Sequence, residues 1–299
     1  MQVLLIAGGW SNERQISLIG AQAIHSALTE LGHTVDFFDP ALEFSNLWPK
    51  AANCDFAFIN LHGAPGEDGL IQAMLDKIPC PYQGSGPTAS QLALNKAVSK
   101  IFFQNQDIPP PNWDIINEAN RDKWELKLDF PLFVKPNTGG SSLGVTLVKN
   151  QNELGNTLDE LFTWSQEVLV ESSISGEEIT CAVLGQEALP PILIRPAQDA
   201  QFFDYDSKYV PEAAEEICPA PISPELTQKI QELALKAHRI LDLQGYSRTD
   251  FIVEDETPFA LEVNTLPGMT PTSLLPQAAQ AVGISFKDLI SKLIELGLH

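Results

Sequence analysis

Apolar and polar positions along the chain alternate between two rhythms, and these divide it into strands and helices. Residues 2–7 form a run, Gln2-Val3-Leu4-Leu5-Ile6-Ala7, that reads as a first buried strand. A helical period over residues 15–31 then predicts a helix that stops at Gly32, a residue suited to the left-handed position past a helix end. Residues 35–38 and 55–61 read as a second and a third strand. This strand–helix–strand alternation predicts a parallel α/β unit. Further along, the pattern predicts helices at 70–77, 90–104, 224–241 and 285–296. It also predicts strands at 130–136, 168–171 and 179–184, with an extended stretch at 190–196. No internal repeat or low-complexity tract interrupts the series.

The strongest local pattern lies between Ser247 and Asn264. Two β-rich runs, Ser247-Arg248-Thr249-Asp250-Phe251-Ile252-Val253 and Phe259-Ala260-Leu261-Glu262-Val263-Asn264, flank the polar break Asp255-Glu256-Thr257-Pro258, which reads as an antiparallel hairpin. Period-2 alternation puts Thr249, Phe251, Val253, Phe259, Leu261 and Val263 on a core-facing side. Arg248, Asp250, Glu262 and Asn264 fall on the other. A loop centred on Glu256 sets Asp250 opposite Glu262 and Arg248 opposite Asn264. Directly opposed like charges repel, so something positive belongs between the two carboxylates. Two readings remain at this point: a site for a hard divalent cation held by oxygen ligands, or a solvated polar face.

Composition narrows the class. A chain of 299 residues can bury a sizeable core and suggests two or three domains; its 44% apolar and 19% charged content is that of a globular protein. No apolar run is long enough to span a bilayer, and the N-terminus lacks the basic region of a signal peptide. Cys54, Cys80, Cys181 and Cys218 show no CxxC spacing, which points to free thiols in a reducing cytosol. The net charge of −21, from 39 acidic and 18 basic residues, disfavours nucleic acid or an anionic membrane as partner. It also makes each lysine cluster informative, since an anionic ligand must find one in a repulsive field.

Candidate chemistry sits in the loops. Ligands of parallel α/β sheets bind beyond the carboxyl ends of strands, so residues 8–14 and 62–69 are the first to inspect. A GxGxxG fingerprint is absent after the first strand. Glu13 is either a ligand group or a complement to a helix dipole, and His62 either a ligand group or a satisfied loop histidine. Small residues at 84–87 and the break Pro109-Pro110-Pro111 suggest a domain boundary near 85–110. Lys135 ends a strand beside the Gly/Ser-rich run from Asn137 to Gly144. Backbone N–H groups and an ammonium together suit phosphates, although a plain glycine turn would look the same; the order is not that of a Walker A loop. An aromatic and charged loop, from Phe202 to Tyr209, is more than a connection needs.

In their order these segments resemble the D-alanine–D-alanine ligases of the ATP-grasp superfamily. The resemblance is carried by Gly8-Gly9-x-Ser11-x-Glu13-Arg14, His62-Gly63-x-x-Gly66-Glu67-Asp68-Gly69, Pro81-Tyr82-x-Gly84-Ser85, Asn95-Lys96 and Val134-Lys135-Pro136. It continues through Gly140-Ser141-Ser142-x-Gly144, Asp204-Tyr205-x-x-Lys208-Tyr209, Arg248-x-Asp250 and Glu262-x-Asn264-Thr265-x-Pro267-Gly268-Met269-Thr270. It spans nearly the whole chain.

The resemblance implies an α/β ATP-grasp fold with an N-terminal Rossmann-like domain (1–90), a small lobe (91–180) and a large lobe (181–299). It implies joining of two D-alanines, with ATP split to ADP and phosphate through an acyl phosphate, for peptidoglycan precursors. ATP and Mg²⁺ would be required, with two ions and Mn²⁺ as a substitute, in a cytoplasmic homodimer. Lys96 and Lys135 would meet the phosphates, Glu171 and the backbone at Ile174 the adenine, and Glu178 the ribose. Asp250, Glu262 and Asn264 would hold the metal. Glu13, in a set with Ser141 and Tyr209 and near His62, would receive the first ammonium. Arg248 and the N–H of Gly268 would stabilise the oxyanion, Ser273 and Leu274 would take the second carboxylate, and Lys208 the transferred phosphoryl group. Tyr209 favours D-alanine as second substrate; the alternatives are D-serine, D-lactate or another small amino acid, or a nucleotide-binding regulator without turnover. Three departures from the family pattern stand out: Ser172 where many relatives have Lys, Asn95 for a commoner Asp, and Trp10 in the first loop.

Overall fold

A computed structural model describes residues 1–140, 143–196 and 214–299 of the chain. The first apolar run is β1 (Gln2–Ala7), the centre of a three-stranded parallel sheet between β2 (Thr34–Phe38) and β3 (Phe56–Asn60). Val3, Leu4, Leu5 and Ile6 are fully buried, as are Phe56 and Phe58. Each such side chain contributes roughly 1.5–3 kcal/mol of transfer free energy, which outweighs any local propensity in fixing this strand. The helix Arg14–Glu30 packs on the sheet, and Gly32 just past its end has φ of 82°, as its position predicts. Leu289, Ile290, Leu293 and Ile294 of the last helix, Phe286–Gly297, join the same core, as do Tyr246 and Met269. This first core therefore draws on both ends of the chain.

A second sheet is antiparallel, in the order β4-β7-β5-β6: β4 (Trp113–Asn117), β5 (Leu132–Pro136), β6 (Thr146–Val148) and β7 (Glu167–Ser172). Its core pairs Ile116, Val134, Val148 and Val170 with Leu154, Leu158 and Leu161 of the helix Gln151–Leu161. The third sheet is made of β8 (Glu177–Leu184), β9 (Glu187–Ala188), β10 (Ile192–Pro196), β11 (Ala214–Ile217), β12 (Tyr246–Glu254) and β13 (Thr257–Asn264). It runs β11-β10-β8-β12-β13, with β9 on the flank of β8. The helix Pro224–Ile240 covers it through Leu226, Ile230, Ala234 and Ala237. That helix starts where its sequence says: the Ser223 side chain accepts from the Leu226 N–H, Pro224 takes the first position and Glu225 the first turn.

The structure departs from the pattern in several elements. Residues 90–104 are not one helix. Asn95 has extended backbone and its Oδ1 accepts the Val98 N–H at 3.0 Å, so it caps the helix Lys96–Gln104 and separates it from Pro87–Leu94. Several elements left no clear period, among them β4, β6, β11, the helix Gln151–Leu161 with its polar run and internal Gly155, and the short helix Leu274–Ala281.

The hairpin reaches the expected pairing by a different route. Asp255 and Glu256 both have positive φ (46° and 59°) and form a two-residue turn, which pairs Glu254 with Thr257 and Phe251 with Ala260. Left there, Asp250 would face Leu261. A bulge between Asp250 and Phe251 inserts Leu261 as an extra residue and restores the pairs Asp250–Glu262 and Arg248–Asn264. The face assignment changes accordingly. Ala260 joins the core beside Phe251 and Val263, whereas Phe259 is half-buried and Leu261 faces the cleft described below.

Candidate active site

The loops after β1 and β3 stand next to each other because the two strands are neighbours. Gly8 has φ of 89°, and a Cβ there would lie 2.5 Å from Asp39 Oδ2, so glycine is required. Asp39 accepts the Gly9 N–H at 3.0 Å and is gripped by both terminal nitrogens of Arg14, at 2.9 and 2.5 Å. Burial alone would raise the Asp39 pKa, but Arg14 and the backbone donors hold it below the usual carboxylate range. This clasp sets the loop that carries Glu13. In the second loop the His62 Nδ1–H donates to the Leu266 carbonyl at 3.2 Å, and burial lowers the ring's pKa, favouring the neutral form. Glu67 accepts the Gly63 N–H at 2.8 Å; burial first, then the nearby Glu13 carboxylate, pushes its pKa up to about 8.

On the second sheet Phe133 pairs with Glu171, so Lys135, two residues on, reaches Glu171 diagonally across the same face. The Lys135 ammonium lies 2.5 Å from Glu171 Oε1 and that of Lys100 lies 2.9 Å from Oε2. Burial would raise the Glu171 pKa, but the two ammoniums bring it below its ordinary value. Lys96 makes an ion pair with Glu262 at 3.2 Å and donates to the Gly139 carbonyl at 2.6 Å.

On the third sheet, Arg248 clasps Asp250 with two bonds of 2.8 and 2.7 Å, and Thr180 and the Asn264 amide donate to the same carboxylate at 2.6 and 3.1 Å. Burial would lower the Arg248 pKa; its contact with Asp250 raises it, so the guanidinium stays charged. The positive charge that the opposed carboxylates require is therefore present as Arg248 on Asp250 and Lys96 on Glu262. The two carboxylates and the Asn264 amide are an oxygen-rich set suited to a hard divalent cation. With these three residues as oxygen donors, phosphate oxygens and water would complete the coordination of such a cation.

Two cavities meet here. One, of about 600 Å³, lies between the second and third sheets and is lined by Lys96, Lys135, Glu171, Ile174, Glu178 and Glu262 among others. Its apolar wall includes Phe133, Val145, Leu147, Ile252 and Leu261, a combination suited to a planar ring with a polyanionic tail. The second, of about 300 Å³, brings together Glu13, His62, Arg248, Asn264, Gly268, Ser273 and Leu274. Gly140, Glu178, Asp250 and Glu262 border both. At Gly268 a Cβ would stand 2.9 Å from Ser273 Oγ, which keeps that backbone open, while Ser273 Oγ accepts the Thr270 N–H at 3.1 Å.

Every described residue given a site role from the sequence thus borders one of the two cavities. Ser141, Lys208 and Tyr209 lie outside the described residues. Sequence reasoning gave no role to Lys100, Glu67 or Thr180. Lys100 had a signal, its spacing of four from Lys96 on one helix face, and Glu67 lies within the His62–Gly69 segment; Thr180 had none.

Two sheets closing on a nucleotide-sized cleft, with lysines on one wall and a carboxylate-bearing hairpin on the other, are the architecture of an ATP-grasp ligase. A family model described as "D-ala D-ala ligase C-terminus" matches residues 102–295. The chain is 57% identical to a D-alanine–D-alanine ligase of Nitratidesulfovibrio vulgaris (strain DP4) over 100% of its own length and 98% of the relative's. It is 55% identical to that of Maridesulfovibrio salexigens, over 99% and 98%. A crystal structure of the Bacillus anthracis D-alanine–D-alanine ligase complexed with ATP superposes with a TM-score of 0.87 at 34% identity, covering 100% of this chain and 97% of that one. The chain belongs to the D-alanine–D-alanine ligase family.

Proposed function

We propose that the chain joins two D-alanines to D-alanyl-D-alanine at the expense of ATP, supplying peptidoglycan precursors in the cytoplasm. The observation that carries this reading is the meeting of a nucleotide-sized cavity and a smaller acceptor cavity at Gly140, Glu178, Asp250 and Glu262. Phosphoryl transfer to a carboxylate brings two anions together, so catalysis is mainly neutralisation and positioning. Lys96 and Lys135 face the polyphosphate, Glu171 and the Ile174 backbone the adenine, and Glu178 the ribose. Glu13, beside the buried His62, holds the first ammonium, with Ser141 and Tyr209 completing that set. The first carboxylate takes the γ-phosphoryl group and ADP departs. The second amine then attacks the acyl carbon and phosphate leaves. Arg248 and the Gly268 N–H stabilise the developing oxyanion, Ser273 and Leu274 position the second carboxylate, and Lys208 the phosphoryl group. Asp250, Glu262 and Asn264 would hold Mg²⁺, as two ions or with Mn²⁺ in its place, which neutralises charge on the phosphates when bound. A homodimer completes the proposal.

Chromatography of the products from D-alanine, ATP and Mg²⁺ tests it. The dipeptide with D-alanine-dependent phosphate release is expected. Ligation of D-alanine to D-serine or D-lactate instead would overturn the acceptor assignment, which leans on Tyr209. ATP binding without such release would point to a regulator.

A further inference from the structure

Lys100 is a charged side chain at 0% exposure, which stands behind the wall of the larger cavity and does not line it. Its ammonium spans two sheets. On the second sheet it makes an ion pair with Glu171 Oε2 at 2.9 Å, an atom with no aligned hydrogen-bond partner. On the third it donates to the Ala260 carbonyl of β13 at 3.5 Å. Four residues earlier on the same helix, Lys96 bridges in the same sense, from Gly139 to Glu262. Carrying a lysine into the interior is unfavourable, and burial lowers the Lys100 pKa to about 8. Such a charge persists where a partner requires it.

The partner is Glu171, and the requirement appears when Lys135 is drawn away. Glu171 shares two ammoniums, so the cluster of Lys100, Lys135 and Glu171 carries one net positive charge. A polyphosphate entering the cavity attracts Lys135, which lines it. If Lys135 were the partner Glu171 relied on, that movement would strand a carboxylate that is 2% exposed, a state that opposes binding strongly. Lys100 remains on Oε2 throughout, so Lys135 can change partners while Glu171 stays ionised and able to accept from a nucleobase amino group.

We propose that Lys100 is a positioning residue for nucleotide binding, which keeps Glu171 charged and oriented so that Lys135 is free to move to the phosphates. The inference rests on the reading of the larger cavity as the ATP site and deepens it.

The experiment measures the ATP dissociation constant by calorimetry with Mg²⁺ and no D-alanine, so its outcome is separable from whether the dipeptide is made. Lys100→Met is expected to weaken ATP at least tenfold while the KM for D-alanine moves less than twofold. Lys100→Arg, which keeps the charge, is expected to recover most of the loss. On a Glu171→Gln background, Lys100→Met is expected to change ATP affinity less than twofold, because the effect passes through Glu171. Unchanged ATP affinity in a folded Lys100→Met variant would overturn the proposal and leave Lys100 a stability residue. If that single variant does not fold, the comparison of Glu171→Gln with the double variant decides: a further tenfold loss on adding Lys100→Met overturns the proposal, and equal affinities support it.

Discussion

Glu67 shows how much chemistry a single residue acquires from its surroundings. Its pKa of about 8 means that the folded chain holds a proton between about pH 4.5 and 8 that the unfolded chain has released. Stability from this group therefore falls as pH rises through that window. Glu67→Gln removes the effect, so its melting temperature relative to the parent should rise from pH 5 to pH 8; a constant difference in calorimetric scans would show that Glu67 ionises normally. Glu262 stands in a different position, on the border of both cavities and paired with Lys96. Glu262→Gln should lower Mg²⁺-dependent turnover at least a hundredfold, about 2.7 kcal/mol of transition-state stabilisation, with melting shifted little. Near-parent activity in a phosphate-release assay would remove it from the metal site. The identities of these side chains were legible in the linear order. Their charge states were not, because burial and neighbours from distant segments set them: His62 and Leu266 meet across 204 positions.

Among the elements, the β12–β13 hairpin shows where period-2 reasoning holds and where it fails. The pairs Asp250–Glu262 and Arg248–Asn264 follow from the pattern, but the turn and the bulge offset each other by one residue, and a slip of one reverses the faces. Nothing in the local pattern distinguishes a loop centred on Glu256 from a two-residue turn corrected by Leu261. The turn also offers a test. Asp255 and Glu256 sit in left-handed backbone that Asn-Gly adopts with less strain, so the double substitution Asp255→Asn, Glu256→Gly should stabilise the chain by about 1 kcal/mol, read from the denaturation midpoint. Turnover should not change. Loss of stability would mean that the Glu256 side chain, which accepts from Ser223 Oγ at 3.4 Å, matters more than backbone strain.

In the whole molecule, three sheets meet around one site, and the helix Lys96–Gln104 ties two of them together through Lys96 and Lys100. A ligand seated between the second and third sheets stabilises the folded form by mass action, about 2.7 kcal/mol at a concentration a hundred times its dissociation constant. ATP with Mg²⁺ should therefore raise the melting temperature by several degrees, and a chelator added with ATP should abolish most of the rise. An equal shift with and without the divalent cation would exclude Asp250, Glu262 and Asn264 from holding a metal on the nucleotide. Among the described residues no helix is long and apolar enough to cross a membrane.

By itself the sequence determined what depends on neighbours along the chain. The apolar run of β1 must be buried, Ser223-Pro224-Glu225 must start a helix, and alternation sets Asp250 and Glu262 on one face of a hairpin. The ordered motifs added the family. Only the tertiary structure decided the partners. Arg248 neutralises Asp250. Lys96 does so for Glu262, and Glu171 is shared between two ammoniums on different elements. The physical reason is that opposite charges find each other by distance and exclusion of water, and both are properties of packed sheets that no stretch of residues carries alone.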